Sequence, residues 1–150
     1  MRIIIQRVNE AKVEIAGNLQ GSIDKGYLLL VGFGLDDNEQ IASKMAKKVS
    51  ELRIFEDENG KMNKSLLEVN GRILSVSQFT LYADCSEGRR PSFVKALNPK
   101  EASRLYDYFN AELEKLVGKI EKGIFQADMH VSLVNDGPVT IILDSKELKY

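Results

Sequence analysis

Residues 27–31 read Tyr-Leu-Leu-Leu-Val, an unbroken apolar run held between Gly26 and Gly32. A half-buried strand would alternate apolar with polar residues, and five residues are too few for a helix of ordinary length. The run fits a strand buried on both faces, of the kind found where a sheet is covered on each side. Such a strand obliges the rest of the chain to supply cover on two sides.

Two amphipathic segments supply helical cover. In the first, Asp36 or Asp37 is placed to cap a helix, with Glu39 and Gln40 at capping-box spacing. Ile41, Met45, Val49 and Leu52 then share one face, and Lys44, Lys47 and Lys48 fall on the others. In the second, Asn98 is the cap, Pro99 takes the first helical position and Glu101 completes a capping box. Ala102, Leu105, Phe109, Leu113 and Leu116 form its apolar stripe, and Gly118 ends it. Strands are expected at residues 2–9, 11–15 and 19–24, at Arg72–Ser77 after an Asn70-Gly71 turn, and at 129–135 and 139–144. Residues 52–56 read as a short extended piece and 57–60 as a loop. Residues 79–97 are polar and irregular, and a loop of that length in a compact domain is usually functional. No repeat or linker interrupts the chain, so one α/β domain over 1–150, with two helices against sheet, is the expectation.

Composition narrows the function. A chain of 150 residues matches one domain. Its 21 Lys and Arg against 22 Asp and Glu give a net charge of −1, which excludes a grossly basic nucleic-acid coat protein while allowing a local basic patch. The first residues lead straight into Ile3-Ile4-Ile5, broken by Gln6 and Arg7, so no signal peptide is expected, and no apolar stretch is long enough for a membrane span. A cytoplasmic setting without membrane attachment is the expectation. One cysteine, Cys85, and one histidine, His130, argue against a disulfide and against a structural zinc site within the chain.

The same scarcity limits catalysis. A Ser-His-Asp triad or a Cys85 nucleophile would each need His130, which sits between Met129 and Val131 in an alternating strand and reads as an ordinary strand residue. There is no Walker phosphate loop, and Gly32-Phe33-Gly34 lacks the third glycine of a dinucleotide fingerprint. Two segments stand out instead. Ser77-Gln78-Phe79-Thr80-Leu81 closes a strand and opens the long loop, where released backbone N–H groups need partners. It reads either as a strand edge with Phe79 and Leu81 packed inward or as a site. Asn135-Asp136-Gly137-Pro138-Val139-Thr140 reads either as a plain hairpin turn or as a specialised loop.

Together the two segments resemble the D-aminoacyl-tRNA deacylases, also called D-tyrosyl-tRNA deacylases. Supporting stretches lie in family order: Gln6-Arg7-Val8, Leu52-Arg53-Ile54-Phe55-Glu56-Asp57, Gly60-Lys61-Met62-Asn63, Arg90-Pro91-Ser92-Phe93, and Ala127-Asp128-Met129 followed by Val131-Ser132-Leu133-Val134. The resemblance runs to about Leu143. His130 stands where many relatives have glutamine.

The resemblance implies a three-layer α/β/β domain, with mixed sheets forming a barrel-like core and two helices packed on one side. It implies hydrolysis of the ester joining a D-amino acid to tRNA, with Ser77, Gln78, Phe79 and Thr80 lining the pocket and their backbone stabilising the oxyanion. The ribose 2′-hydroxyl would assist, no cofactor or metal would be needed, and Thr80 would rank as a pocket residue before a nucleophile. Gly137-Pro138, joined by a cis bond, would be the chirality filter, reaching into the partner's site in a homodimer. Glycyl-tRNA, with no side chain to exclude, would also be a substrate. Arg7, expected beside the Gly-Pro loop, with Met129 and Asn135, would support the site. Arg89, Arg90 and Lys95 would contact tRNA phosphates, with Lys61 and Lys64 as further candidates. Two other readings stay open: a non-catalytic nucleic-acid-binding module that uses Arg89 and Arg90, and an unrelated esterase that depends on His130.

Overall fold

The apolar run becomes the central strand of a curled mixed sheet. The computed structural model describes residues 1–149. Its strands in chain order are β1 (Arg2–Ile15), β2 (Asn18–Ile23), β3 (Gly26–Gly32), β4 (Phe55–Glu56), β5 (Met62–Lys64), β6 (Arg72–Ser77), β7 (Glu121–Lys122) and β8 (His130–Asp144). Helix α1 (Glu39–Glu51) follows β3, helix α2 (Pro99–Val117) precedes β7, and short 3-10 turns occupy Leu67–Val69 and Phe79–Tyr82.

β1 organises the sheet. Residues 2–8 pair antiparallel with β3, and residues 11–15 pair antiparallel with β2. β8 runs antiparallel along the whole of β1, with register breaks near Arg7 and Asn9. β6 then adds parallel to β3, and β7 parallel to β6. Such irregularities bend and twist a ladder, and here the sheet curls until β2 approaches β7. A β-carbon at Gly21 would lie only 3.3 Å from that of Glu121. The result is a nearly closed, barrel-like core with both helices on one side, as the resemblance implied.

The curl produces two apolar clusters, one on each face of β3. Tyr27, Leu29 and Val31 face the helices, packing with Ile3, Ile5, Ile73, Met45, Val49, Leu105 and Phe109. Leu28 and Leu30 face the barrel interior with Val8, Val13, Leu74, Val76 and Val131. That division explains why the run does not alternate. Each fully buried leucine is worth about 1.5–3 kcal/mol of transfer free energy.

Several local expectations change. The α1 cap is Asn38, whose side chain accepts from Ile41 N at 3.0 Å. Asp37 instead turns back, accepting from Gly34 N at 2.6 Å and from the Met1 ammonium at 2.5 Å. Leu52 lies past the end of α1 as its C-cap residue. On α2, Leu116 is exposed and Tyr106 takes a buried place, its hydroxyl donating to Ser75 O at 2.8 Å. The strands expected at 2–9 and 11–15 are one strand, as are those at 129–135 and 139–144. Gly137-Pro138 is therefore no hairpin turn; it lies within β8, and its peptide bond is cis. The 79–97 loop is not wholly irregular, since it opens with a 3-10 turn and is pinned by backbone pairing of Asp84 with Ser92 and of Gly34 with Ala96.

Candidate functional site

The site begins where β6 stops. Gln78 N donates to Val31 O at 2.8 Å, extending the parallel ladder by one bond. The chain then turns through Phe79–Tyr82, held by Leu81 N to Gln78 O at 3.3 Å and Ala83 N to Thr80 O at 3.1 Å. In a 3-10 turn the first amides have no acceptor within the turn, and those of Phe79 and Thr80 make no backbone hydrogen bond to any described residue outside it. Gly32 and Gly34 let this turn lie close on the end of β3. A β-carbon at Gly32 would sit 2.8 Å from Gln78 O, and one at Gly34 would sit 2.5 Å from the Tyr82 ring. The Gly32-Phe33-Gly34 motif is thus a packing device.

Beside the turn opens a cavity of about 690 Å³. Val31, Gly32, Val76, Ser77, Gln78 and Phe79 form one side, Phe93, Leu97 and Asn98 a second, and Phe125, Met129 and Val131 a third. Phe79 and Phe93 meet at the mouth with ring centroids 4.9 Å apart. The only ionisable residue in the lining is Asp128, whose side chain is 98% exposed. The cavity therefore has apolar walls, amides and neutral polar side chains, and no side-chain acid or base enclosed in it.

Three of the four expected pocket residues, Ser77, Gln78 and Phe79, line this cavity. Thr80, expected among them, lies outside the lining, exposed, and its hydroxyl accepts from the Gln78 side-chain amide. Met129 lines the cavity, close against Gly123. His130 is exposed at the start of β8, and its nearest carboxylate, Asp128, is 3.9 Å away and also exposed. The aromatic residues Phe33 and Phe125 line the cavity as well. Neither stood out in the sequence; the available signal was an aromatic ring in an otherwise irregular segment.

Gly137-Pro138 lies elsewhere. It sits six residues beyond Val131 on β8, roughly 20 Å of strand, and neither residue lines its own chain's cavity. Both are exposed, yet the segment is held from behind. The buried Arg7 donates from Nε to Asp136 O at 3.1 Å and from Nη1 to Ile54 O at 2.8 Å, tying the segment to the base of the β4–β5 hairpin. Asn135 accepts from Val139 N at 3.1 Å, and its amide donates to the Thr140 hydroxyl at 3.0 Å, bridging the Gly-Pro unit on both sides.

The expected tRNA contacts divide. Arg89 and Arg90 are exposed on the 79–97 loop and make no ion pair with any described residue. The Lys95 ammonium is 3.0 Å from Asp84 and serves the loop's own structure. Hydrogen bonds from the Ser86 side chain and amide, together with Lys95, hold the Asp84 carboxyl well below the usual carboxylate range. Lys64 is likewise engaged, 2.9 Å from Glu58. Among the described residues no cluster of His, Cys, Asp or Glu is arranged to hold a metal ion, and no helix is long and apolar enough to cross a membrane.

A family model described as D-Tyr-tRNA(Tyr) deacylase matches residues 4–144. A D-aminoacyl-tRNA deacylase of Bacillus cytotoxicus is 56% identical over 146 residues, covering 97% of this chain and 100% of the relative. One of Thermus aquaticus is 54% identical over 147 residues, covering 98% and 97% respectively. Among solved structures, a chain described as c-Myc DNA Unwinding Element Binding Protein superposes with a TM-score of 0.90 at 38% identity, covering 96% of this chain and 98% of that one. Another, described as a probable eukaryotic D-amino acid tRNA deacylase, superposes with a TM-score of 0.85 at 16% identity over 95% and 97% of the two chains, a likeness of fold.

Proposed function

The chain belongs to the D-Tyr-tRNA(Tyr) deacylase family and is a hydrolase acting on aminoacyl-tRNA, and from that premise we propose how its residues do the work. Water attacks the carbonyl carbon of the ester, the bond to the ribose 3′-oxygen breaks, and that oxygen leaves with a proton. The N–H groups of the 77–80 segment stabilise the charge that develops on the carbonyl oxygen, an effect worth several kcal/mol when donors are preorganised in a dry site. The neighbouring 2′-hydroxyl of the substrate moves the proton. The observation that carries this reading is the chemistry of the cavity wall. It encloses no side-chain base or nucleophile pair, while the first two amides of the turn beside it, at Phe79 and Thr80, have no backbone acceptor among the described residues.

Gly137-Pro138 is the chirality filter, and it acts on the site of a second copy. Two observations support this. The segment is too far along β8 to serve its own cavity, and among the described residues β8 pairs only with β1, leaving a 15-residue edge with Val134 and Ile142 exposed. Exclusion of an L side chain is discrimination by clash, which leaves D-amino acids and glycine as substrates. Arg89 and Arg90 hold the tRNA backbone, which makes binding salt-dependent. The protein acts in the cytoplasm as a homodimer and removes mischarged residues from tRNA.

The test is release of amino acid from D-tyrosyl-, L-tyrosyl- and glycyl-tRNA by the purified protein, side by side. Rapid release from the D and glycyl forms with the L form untouched is the expected result. Equal release from D and L forms would mean that Gly137-Pro138 is no filter but only an irregularity within β8. A second reading draws on the structural relative described as a DNA-element binding protein: a nucleic-acid-binding module using the same arginine loop. Release from none of the three substrates would favour it. The His130-dependent esterase would lose activity in His130→Ala, whereas the deacylase reading expects that variant to be nearly silent.

A further inference from the structure

The Phe79–Tyr82 turn has little to hold it in shape. Four residues in 3-10 geometry are marginal by themselves, and the bond that starts the turn, Leu81 N to Gln78 O at 3.3 Å, is longer than usual. A side chain from another element completes it. Arg2, at the start of β1, donates from Nη1 to Leu81 O at 3.0 Å, and its guanidinium carbon lies 4.7 Å from the Tyr82 ring centroid. Its Nε donates to Asp144 Oδ2 at 2.9 Å, so a carboxylate from the end of β8 aims the fork. Burial works against the charged form of Asp144, but Arg2, the Lys146 amide and the N-terminal ammonium outweigh it, and the carboxyl stays below its ordinary range.

We propose that Arg2 is a positioning residue for the deacylation: it clamps the far end of the turn so that the Phe79 and Thr80 amides at the near end keep their aim. The inference rests on the oxyanion role assigned above to those amides. A planar guanidinium can serve the carbonyl, the carboxylate and the ring at once, which a lysine ammonium cannot. The Arg2 side chain is 43% exposed, so removing it opens no hole in the core. Arg7 repeats the arrangement at the other end of the β1–β3 pairing, donating to Asp136 O beside an Asp136 carboxylate 3.4 Å away. One strand thus carries two arginines, each fixing a backbone carbonyl in one half of the proposed site.

The experiment uses the full chain with D-tyrosyl-tRNA, comparing wild type with Arg2→Met, Arg2→Lys and Asp144→Asn by kcat and KM, together with the amide NMR resonances of Phe79 and Thr80. Arg2→Met is expected to lower kcat by about 10- to 100-fold, up to the cost of misplacing a donor and below the ~100- to 1,000-fold of losing one outright. Its KM should stay within about twofold, since ground-state binding is untouched. Arg2→Lys should recover part of the loss, and the two amide resonances should move in Arg2→Met. A kcat near wild type, a loss carried by KM, or a loss with both resonances unmoved would each overturn the proposal. If Arg2→Met does not fold, Asp144→Asn decides: a kcat several-fold lower supports the clamp, and an unchanged kcat overturns it. A wild-type protein inert toward D-tyrosyl-tRNA would instead overturn the deacylation reading itself.

Discussion

Gly137 sits at φ +133°, where a β-carbon would come within 2.7 Å of the Val139 side chain and 3.2 Å of the Arg7 guanidinium. An alanine there costs about 1–3 kcal/mol of backbone strain and also pushes on the arginine that holds the segment. Gly137→Ala is therefore expected to fold with a melting temperature lowered by several degrees, and to lose at least about tenfold in kcat/KM on D-tyrosyl-tRNA because the displaced segment no longer fits the site. Full activity with a normal melting curve would remove the segment from the mechanism. At this scale the sequence was an uneven guide. The Asn98 cap and Pro99 of α2 are as read, with Asn98 accepting from Glu101 N at 3.0 Å, but the capping box does not close, because the Glu101 carboxylate accepts from Arg104 instead. For α1 the two aspartates drew attention from Asn38, because spacing alone cannot tell which of three adjacent capping residues faces the helix and which one faces the Met1 ammonium.

At the scale of elements, the end of β3 and the 77–82 turn act as one unit. Gly32→Ala would drive a methyl to 2.8 Å from Gln78 O, a backbone atom that yields only if the turn moves. Its kcat on D-tyrosyl-tRNA should fall by about 10- to 100-fold, with circular dichroism unchanged. Retained activity in a folded variant would mean that the turn's position does not matter. The helices and the double-buried strand were legible because their patterns are long and periodic. β4, β5 and β7 are two or three residues each, too short to carry a period, and they form because neighbouring strands offer partners. β1 and β8 read as pairs of shorter strands, since the expected break falls at Glu10 in one and at Asp136-Gly137-Pro138 in the other. In the fold they are irregularities that the long ladder between β1 and β8 spans.

At the scale of the molecule, the proposed dimer makes a quantitative prediction. If each cavity takes its filter from the partner, mixing Gly32→Ala with Gly137→Ala subunits gives hybrids with one site wholly intact and one doubly altered. Random reassortment of a symmetric dimer then restores about a quarter of wild-type activity from two impaired parents. No recovery, with exchange verified by mass, would mean that the filter and the cavity of one chain work together or that the chain acts alone.

The sequence by itself determined that two helices pack against a sheet. A five-residue apolar run must be covered on both faces, two capped amphipathic helices cover one, and the β-branched segments supply the rest. It also narrowed the chemistry, since a chain with one histidine and one cysteine has few side-chain routes to catalysis. Tertiary structure decided where the pieces meet. The curl of the sheet brings the end of β6 beside Phe93, Phe125 and Met129 to make a cavity, and it carries Gly137-Pro138 away from that cavity. It also sets Arg2 on Leu81 O and Arg7 on Asp136 O. These pairs are separated by 79 and 129 residues. Periodicity reports which face of an element is buried, but the partner across such distances is fixed only by strand pairing and register, which depend on the whole chain at once.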